Sequence, residues 1–133
     1  MRCLLDTHVF LWALTEPSRL PARVVKIIED PAHELFLSSV SIWEAAIKLR
    51  SGRLDLQGRT AVDLLNEARK MNVQLISLEL DEAATLGSLT ESAHFDPFDR
   101  MLIWQAIRRN LTLISGDRAF KKFTADGLKL LWK

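Results

Sequence analysis

The chain has 133 residues, 48% hydrophobic and 26% charged, with a formal net charge of +1. This length and balance suit a single globular domain spanning 1–133 with its own core, and they exclude disorder, collagen-like repeats and low-complexity scaffolds. The near-zero charge advertises neither a polyanion nor a membrane surface as partner, although the sum is blind to where the charges sit. The only cysteine, Cys3, cannot close an internal disulfide and lies in the apolar run Cys3-Leu4-Leu5, which predicts a buried, inert thiol. No apolar run nears the ~18 residues of a membrane span. An acid at Asp6 comes too soon for a signal peptide's apolar stretch, so a cytoplasmic protein is expected.

In chain order, the run 2–5 predicts a short buried strand ending at Asp6-Thr7, followed by a helix over 8–14 and a loop at 16–18. Pro21 suits the first turn of a second helix, with Val24, Val25, Ile27 and Ile28 inward, ending near Asp30-Pro31. A strand over 34–37 precedes a helix that opens between Ser38 and Ser41 and stops at Ser51-Gly52. Ala61, Leu64, Leu65 and Ala68 have helical spacing within 60–71. A strand over 73–76, a helix over 81–89 and a helix from Asp96-Pro97 to Arg109 come next. A strand over 111–114, a short helix over 118–123 and a last strand over 128–132 complete the chain. Short apolar runs alternating with amphipathic helices predict an α/β fold with a mostly parallel sheet.

Four acids fall at equivalent places. Asp6 follows the first strand, Asp117 follows the strand over 111–114, and Glu44 and Asp99 are expected in the first turns of their helices. In an open parallel sheet, strand C-terminal ends and helix N-termini share one edge, so these acids are expected to converge in one cleft. Each also has a capping explanation. Asp6 or Thr7 could cap the first helix, Asp117 the helix over 118–123, and Asp96 the helix starting at Pro97. Ser41-Ile42-Trp43-Glu44 has the spacing of a capping box. Capping alone, however, does not require convergence.

Converged carboxylates repel one another unless protonated or neutralised by a cation. Oxygen donors with few histidines or thiolates favour Mg²⁺ or Mn²⁺ over zinc. Such an ion can bridge carboxylates and a phosphate oxygen and activate water as a nucleophile, which is the chemistry of phosphodiester hydrolysis. His8 and His94 lack the paired spacing of a zinc motif; His94 is expected to order the loop before Asp96, and His33 to lie on the surface. Trp12, Trp43, Trp104 and Trp132 sit among apolar neighbours, which favours core or interface over base stacking. The segment Met101-Leu102-Ile103-Trp104 is apolar nearly all round its helix, which predicts deep burial or a subunit contact. Lys48, Arg50 and Arg53, with the pairs Arg108-Arg109 and Lys121-Lys122, read mostly as solvated faces, and some could flank a bound polyanion.

Leu4-Leu5-Asp6-Thr7-His8, Ser41-Ile42-Trp43-Glu44-Ala45-Ala46-Ile47-Lys48, His94-Phe95-Asp96-Pro97-Phe98-Asp99-Arg100 and Ser115-Gly116-Asp117 occur in that order. Together they resemble the PIN-domain family, specifically VapC-type toxins of bacterial toxin–antitoxin pairs, over essentially the whole chain. The resemblance implies a three-layer α/β/α fold and a Mg²⁺- or Mn²⁺-dependent endoribonuclease. Its acidic residues map onto Asp6, Glu44, Asp99 and Asp117, with Thr7 and Ser115 as hydroxyls bonded to the acids or to water on the metal. It also implies a homodimer and a cognate antitoxin as partners, with RNA as substrate; the helices over 8–14 and 98–107 are expected to contribute to the protein contacts. Trp104 stands where relatives carry a smaller residue. Two other readings compete: a non-catalytic PIN-like module that binds protein or RNA, and a receiver-like domain. The second is disfavoured because Asp6 is followed by Thr7 rather than another acid.

Overall fold

The structure, a computed structural model, describes residues 1–133. Its elements are β1 (Arg2–Leu5), α1 (Thr7–Thr15), α2 (Ala22–Glu29), β2 (Glu34–Ser38), α3 (Ser39–Arg50), α4 (Asp63–Lys70), β3 (Val73–Ile76), α5 (Leu80–Thr85), α6 (Pro97–Arg108), β4 (Thr112–Ile114) and β5 (Lys129–Leu131). Single 3₁₀ turns occupy Pro17–Arg19 and Leu86–Ser88, and a longer 3₁₀ segment runs over Arg118–Asp126. The expected elements are all present, with three local differences. The loop at 16–18 contains a 3₁₀ turn, the helix over 81–89 tightens to 3₁₀ after Thr85, and the short helix at 118 is 3₁₀ and continues to Asp126.

The five strands are parallel throughout, in the order β3-β2-β1-β4-β5. The central strand β1 pairs Leu4 with Phe36 on one side and with Leu113 on the other. Being covered on both faces, the strands are continuous apolar runs rather than alternating ones. Cys3 and Leu5 point into a core built with Val9 and Phe10 of α1, Val24 and Ile27 of α2, and Leu64 and Ala68 of α4. Leu4, Phe36 and Leu113 point the other way, into a core with Leu102, Ile103 and Ala106 of α6 and Phe120 and Phe123. Helices therefore cover both faces of the sheet in the three-layer α/β/α arrangement. The apolar stretch of α6 is consumed by this core, since Met101–Ala106 are all buried. The exposed apolar side chains lie instead on Trp43, Ile47, Val62, Leu80 and Phe95.

The connections place the site. The chain lays β2 and then β3 outward from one side of β1, and then returns to add β4 and β5 on the other. The order thus reverses between β1 and β4, where the loops leaving the two strands diverge and open a crevice. Asp6 N–H donates to Ile114 O at 3.0 Å, fixing the two strand ends side by side at that crevice.

Candidate metal centre

Capping brings most of the acids to this edge. Asp6 caps α1 by accepting from Thr7 N–H at 2.8 Å. Asp117 caps the segment 118–126 by accepting from Ala119 N–H at 2.9 Å. Asp96 caps α6 ahead of Pro97, accepting from Asp99 N–H at 2.9 Å and leaving Asp99 in the first helical turn. Capping and convergence are thus one arrangement, because a helix that starts at a strand's C-terminal end carries its cap into the crevice.

Glu44 differs. The cap of α3 is Ser38, the last residue of β2, whose Oγ accepts from Val40 N–H at 3.0 Å. Ser41 is therefore inside the helix, no capping box joins it to Glu44, and Glu44 lies in the second turn rather than the first. The spacing misleads because β2 runs directly into α3 with no loop between them. Three residues apart on one helical face, Ser41 meets α1 and Glu44 meets the cleft.

A cleft of about 450 Å³ is lined by Asp6, Glu44, Asp96, Asp99 and Asp117 at its acidic end. Trp12, Arg19, Lys48 and Arg53 line the same cleft away from the acids. Asp99, Asp117 and His94 offer donor atoms that all lie within 4.8 Å of one another. His94 Nε2 is 2.9 Å from Asp99 Oδ2. Its loop is shaped by Arg100, which donates to His94 O at 3.0 Å and Glu91 O at 2.7 Å, and by Asp126, which accepts from Thr90 Oγ1 at 2.6 Å. His94 thus both orders its loop and joins the acids.

Asp6 is buried and receives three donors. Thr7 N–H bonds Oδ1, while Ser115 Oγ–H at 2.7 Å and His8 Nδ1 at 3.2 Å meet Oδ2. Ser115 therefore bonds an acid directly. The Thr7 hydroxyl turns instead towards α3 and donates to Ser41 Oγ at 2.8 Å, so it supports helix packing rather than a carboxylate. Burial, reinforced by the charges of Asp6 and Asp96, pushes Asp99 up to about 6 despite the His94 hydrogen bond. Glu44 accepts from Lys48 Nζ at 2.6 Å through Oε2, while its buried Oε1 has no partner. A buried carboxylate oxygen without a donor is an unmet demand for positive charge. The donor set, carboxylates with at most one imidazole, suits a hard divalent ion.

Comparison with known proteins agrees with this architecture. The family model for the PIN domain matches residues 3–125. The chain belongs to the PIN-domain family. It is 31% identical over 120 residues to Ribonuclease VapC22 of Mycobacterium tuberculosis, covering 89% of this chain and 88% of that protein. Among solved structures, VapBC2 from Rickettsia felis, bound to a DNA fragment from its promoter, superposes with a TM-score of 0.75 at 18% identity and full coverage of both chains. VapBC-1 from nontypeable Haemophilus influenzae gives 0.65 at 17% identity, covering 98% of this chain and 97% of the other. FitAcB from Neisseria gonorrhoeae gives 0.62 at 21% identity, covering 97% and 96%. In this PIN domain no helix is long and apolar enough to cross a membrane.

Sequence reasoning missed two features near the site. Lys48 neutralises one oxygen of Glu44, and the helical spacing of four residues between them was the available signal. Arg109 is no solvated residue; its guanidinium binds Glu82 at 2.7 Å and 2.8 Å, across 27 residues that carry no local pattern.

Proposed function

We propose that this PIN domain is a divalent-metal-dependent endoribonuclease and the toxin of a toxin–antitoxin pair. The observation that carries the reading is the unpartnered, buried Oε1 of Glu44 in a cleft shared with Asp6, Asp99 and Asp117. Likeness to a ribonuclease in M. tuberculosis supports RNA as the substrate, and likeness to VapBC assemblies supports an antitoxin as partner. A homodimer and a cytoplasmic location go with the same reading.

Asp6, Glu44 and Asp99 would hold Mg²⁺ or Mn²⁺, with Asp117 completing the pocket and His94 steadying Asp99. When bound, the ion supplies charge that polarises a phosphodiester and favours attack by water. The chain's own contribution is preorganisation. Ser115 and the α1 N-terminus fix both oxygens of Asp6, and His94 fixes one oxygen of Asp99. Lys48 and Arg53 in the same cleft would hold phosphates flanking the cut.

The test is cleavage of end-labelled RNA by the purified chain in Mg²⁺, in Mn²⁺ and in excess chelator. Cleavage should vanish in chelator, and Asp6→Asn should lower it by at least about 100-fold without loss of fold by circular dichroism. Full activity of that variant, or of the wild type in chelator, sinks the metal mechanism. A folded chain that binds RNA and never cuts it would favour the non-catalytic module.

A further inference from the structure

His8 spends both ring nitrogens at the crevice between β1 and β4. Nδ1 lies 3.2 Å from Asp6 Oδ2, and Nε2 lies 3.2 Å from the backbone nitrogen of Gly116. A backbone N–H can only donate, so Nε2 is the acceptor and the proton resides on Nδ1, where it is given to Asp6. The ring's orientation is set by packing. Trp12 meets it edge-on at 4.8 Å between centroids and Trp132 at 6.0 Å. Trp132 in turn lies against Gly116, where a Cβ would come within 2.9 Å of the indole carbons. The glycine therefore admits the tryptophan that walls in the imidazole. Beside this contact, Ser115 Oγ donates to Asp6 and accepts from Asp117 N–H at 3.1 Å. Two cross-links thus tie the carboxylate after β1 to the backbone after β4, one through Ser115 and one through His8.

We propose that His8 is a positioning residue: a neutral, Nδ1-protonated imidazole that clamps Asp6 to the Gly116 backbone and so sets the spacing of Asp6 and Asp117 across the cleft. With both nitrogens engaged, His8 acts through Asp6 and is not itself a metal ligand. Metal-site partners of this kind orient the ligating atom, and their loss typically weakens metal binding about 10- to 100-fold. The proposal rests on the reading of the cleft as a metal centre.

The experiment uses the full chain in two arms. In the first, ¹⁵N-histidine spectra of the metal-free protein report the tautomer; His8 should show a protonated Nδ1 and an unprotonated Nε2. In the second, Mn²⁺ binding is followed by calorimetry and by electron paramagnetic resonance. His8→Phe keeps the packing against Trp12 and Trp132 and removes both hydrogen bonds. His8→Asn restores a donor within reach of Asp6. The Phe variant should bind Mn²⁺ at least about 10-fold more weakly and lose kcat with little change in KM for RNA, whereas the Asn variant should recover most of the affinity. If the Phe variant does not fold, the Asn variant and the tautomer still decide. A proton on Nε2, or a folded His8→Phe that binds Mn²⁺ within about twofold of wild type, overturns the proposal. A wild-type chain that binds no Mn²⁺ overturns the metal reading instead, and the tautomer then still decides whether the clamp exists.

Discussion

Glu44 and Glu82 are both almost fully buried glutamates on short helices, and their surroundings are opposites. Glu82 receives Glu79 N–H at 2.9 Å, Gln105 Nε2 at 3.1 Å and two donors from Arg109. Gln105, itself buried, passes the network on by accepting from Ser38 Oγ at 2.6 Å. Every polar atom at Glu82 is answered from within the chain. Glu44 has one lysine on one oxygen and nothing on the other, with Asp6, Asp99 and Asp117 in the same cleft. A buried carboxylate that the fold satisfies is part of the architecture; one that it leaves unsatisfied among other carboxylates is held ready for something outside the chain. The two regions also respond to protonation with opposite signs. Burial pushes Glu82 up, but the bonds from Arg109, Glu79 N–H and Gln105 outweigh it and bring it down to about 2. At Asp99 burial wins, and the carboxyl rises to about 6.

The largest effect should come from breaking the satisfied region. Glu82→Gln removes the charge that Arg109 answers and should lower the unfolding free energy at neutral pH by about 3 kcal/mol, measured by urea denaturation. The same substitution should change the acid limb of stability. Because Glu82 is depressed in the folded state, its contribution is complete above its ordinary value of 4.5 and is lost as pH falls towards about 2. Wild type should weaken through that window more steeply than the variant. Equal slopes and equal stability would show that the network only fills space.

The unsatisfied region should behave in reverse. Asp99 is raised from 3.8 to about 6, so its neutral form is compatible with folding and its ionised form opposes it. Its favourable contribution is complete below 3.8 and is lost as pH rises through about 6. In chelator at neutral pH, Asp99→Asn should therefore raise stability by about 1–3 kcal/mol. Mn²⁺ should then invert the order, because a ligand bound only by the folded state stabilises wild type by mass action and the variant much less. A variant that is less stable in chelator, or that gains as much from Mn²⁺ as wild type, removes the contrast.

These two regions were unequally legible. The acids after β1 and β4 could be placed because a parallel sheet puts strand ends and helix starts on one edge, and because Asp6, Asp96 and Asp117 sit at positions where helices are capped. The turn of α3 that carries Glu44 was misplaced, since three serines between 38 and 41 offer rival caps and only the register of β2 selects Ser38. The contact between His8 and Gly116 could not be read, for it depends on two loops meeting across 108 residues. Glu82 and Arg109 were invisible for the same reason. Neither belongs to a motif, and Arg109 next to Arg108 reads as a solvated pair. The apolar run of α6 announced burial correctly but did not say against what; its own domain core takes it, which leaves Trp43 and Ile47 on α3 as the exposed apolar side chains near the site.

The smallest effect is the sharpest control on the comparison. One residue before each member of the Glu82–Arg109 pair, Asp81 and Arg108 form a second bridge between α5 and the end of α6, at 2.6 Å against 2.7 Å. The distances are nearly equal, but the Asp81 side chain is 64% exposed and that of Glu82 only 4%. In water the attraction is screened, and the ordering of two long side chains offsets most of what remains. Asp81→Asn should therefore change stability by less than about 1 kcal/mol, with the difference shrinking further as salt is added, and RNA cleavage should be unchanged. Should Asp81→Asn destabilise as much as Glu82→Gln, the distance between the charges would be the governing variable, and the distinction drawn from burial and satisfied oxygens would fail for the cleft acids as well.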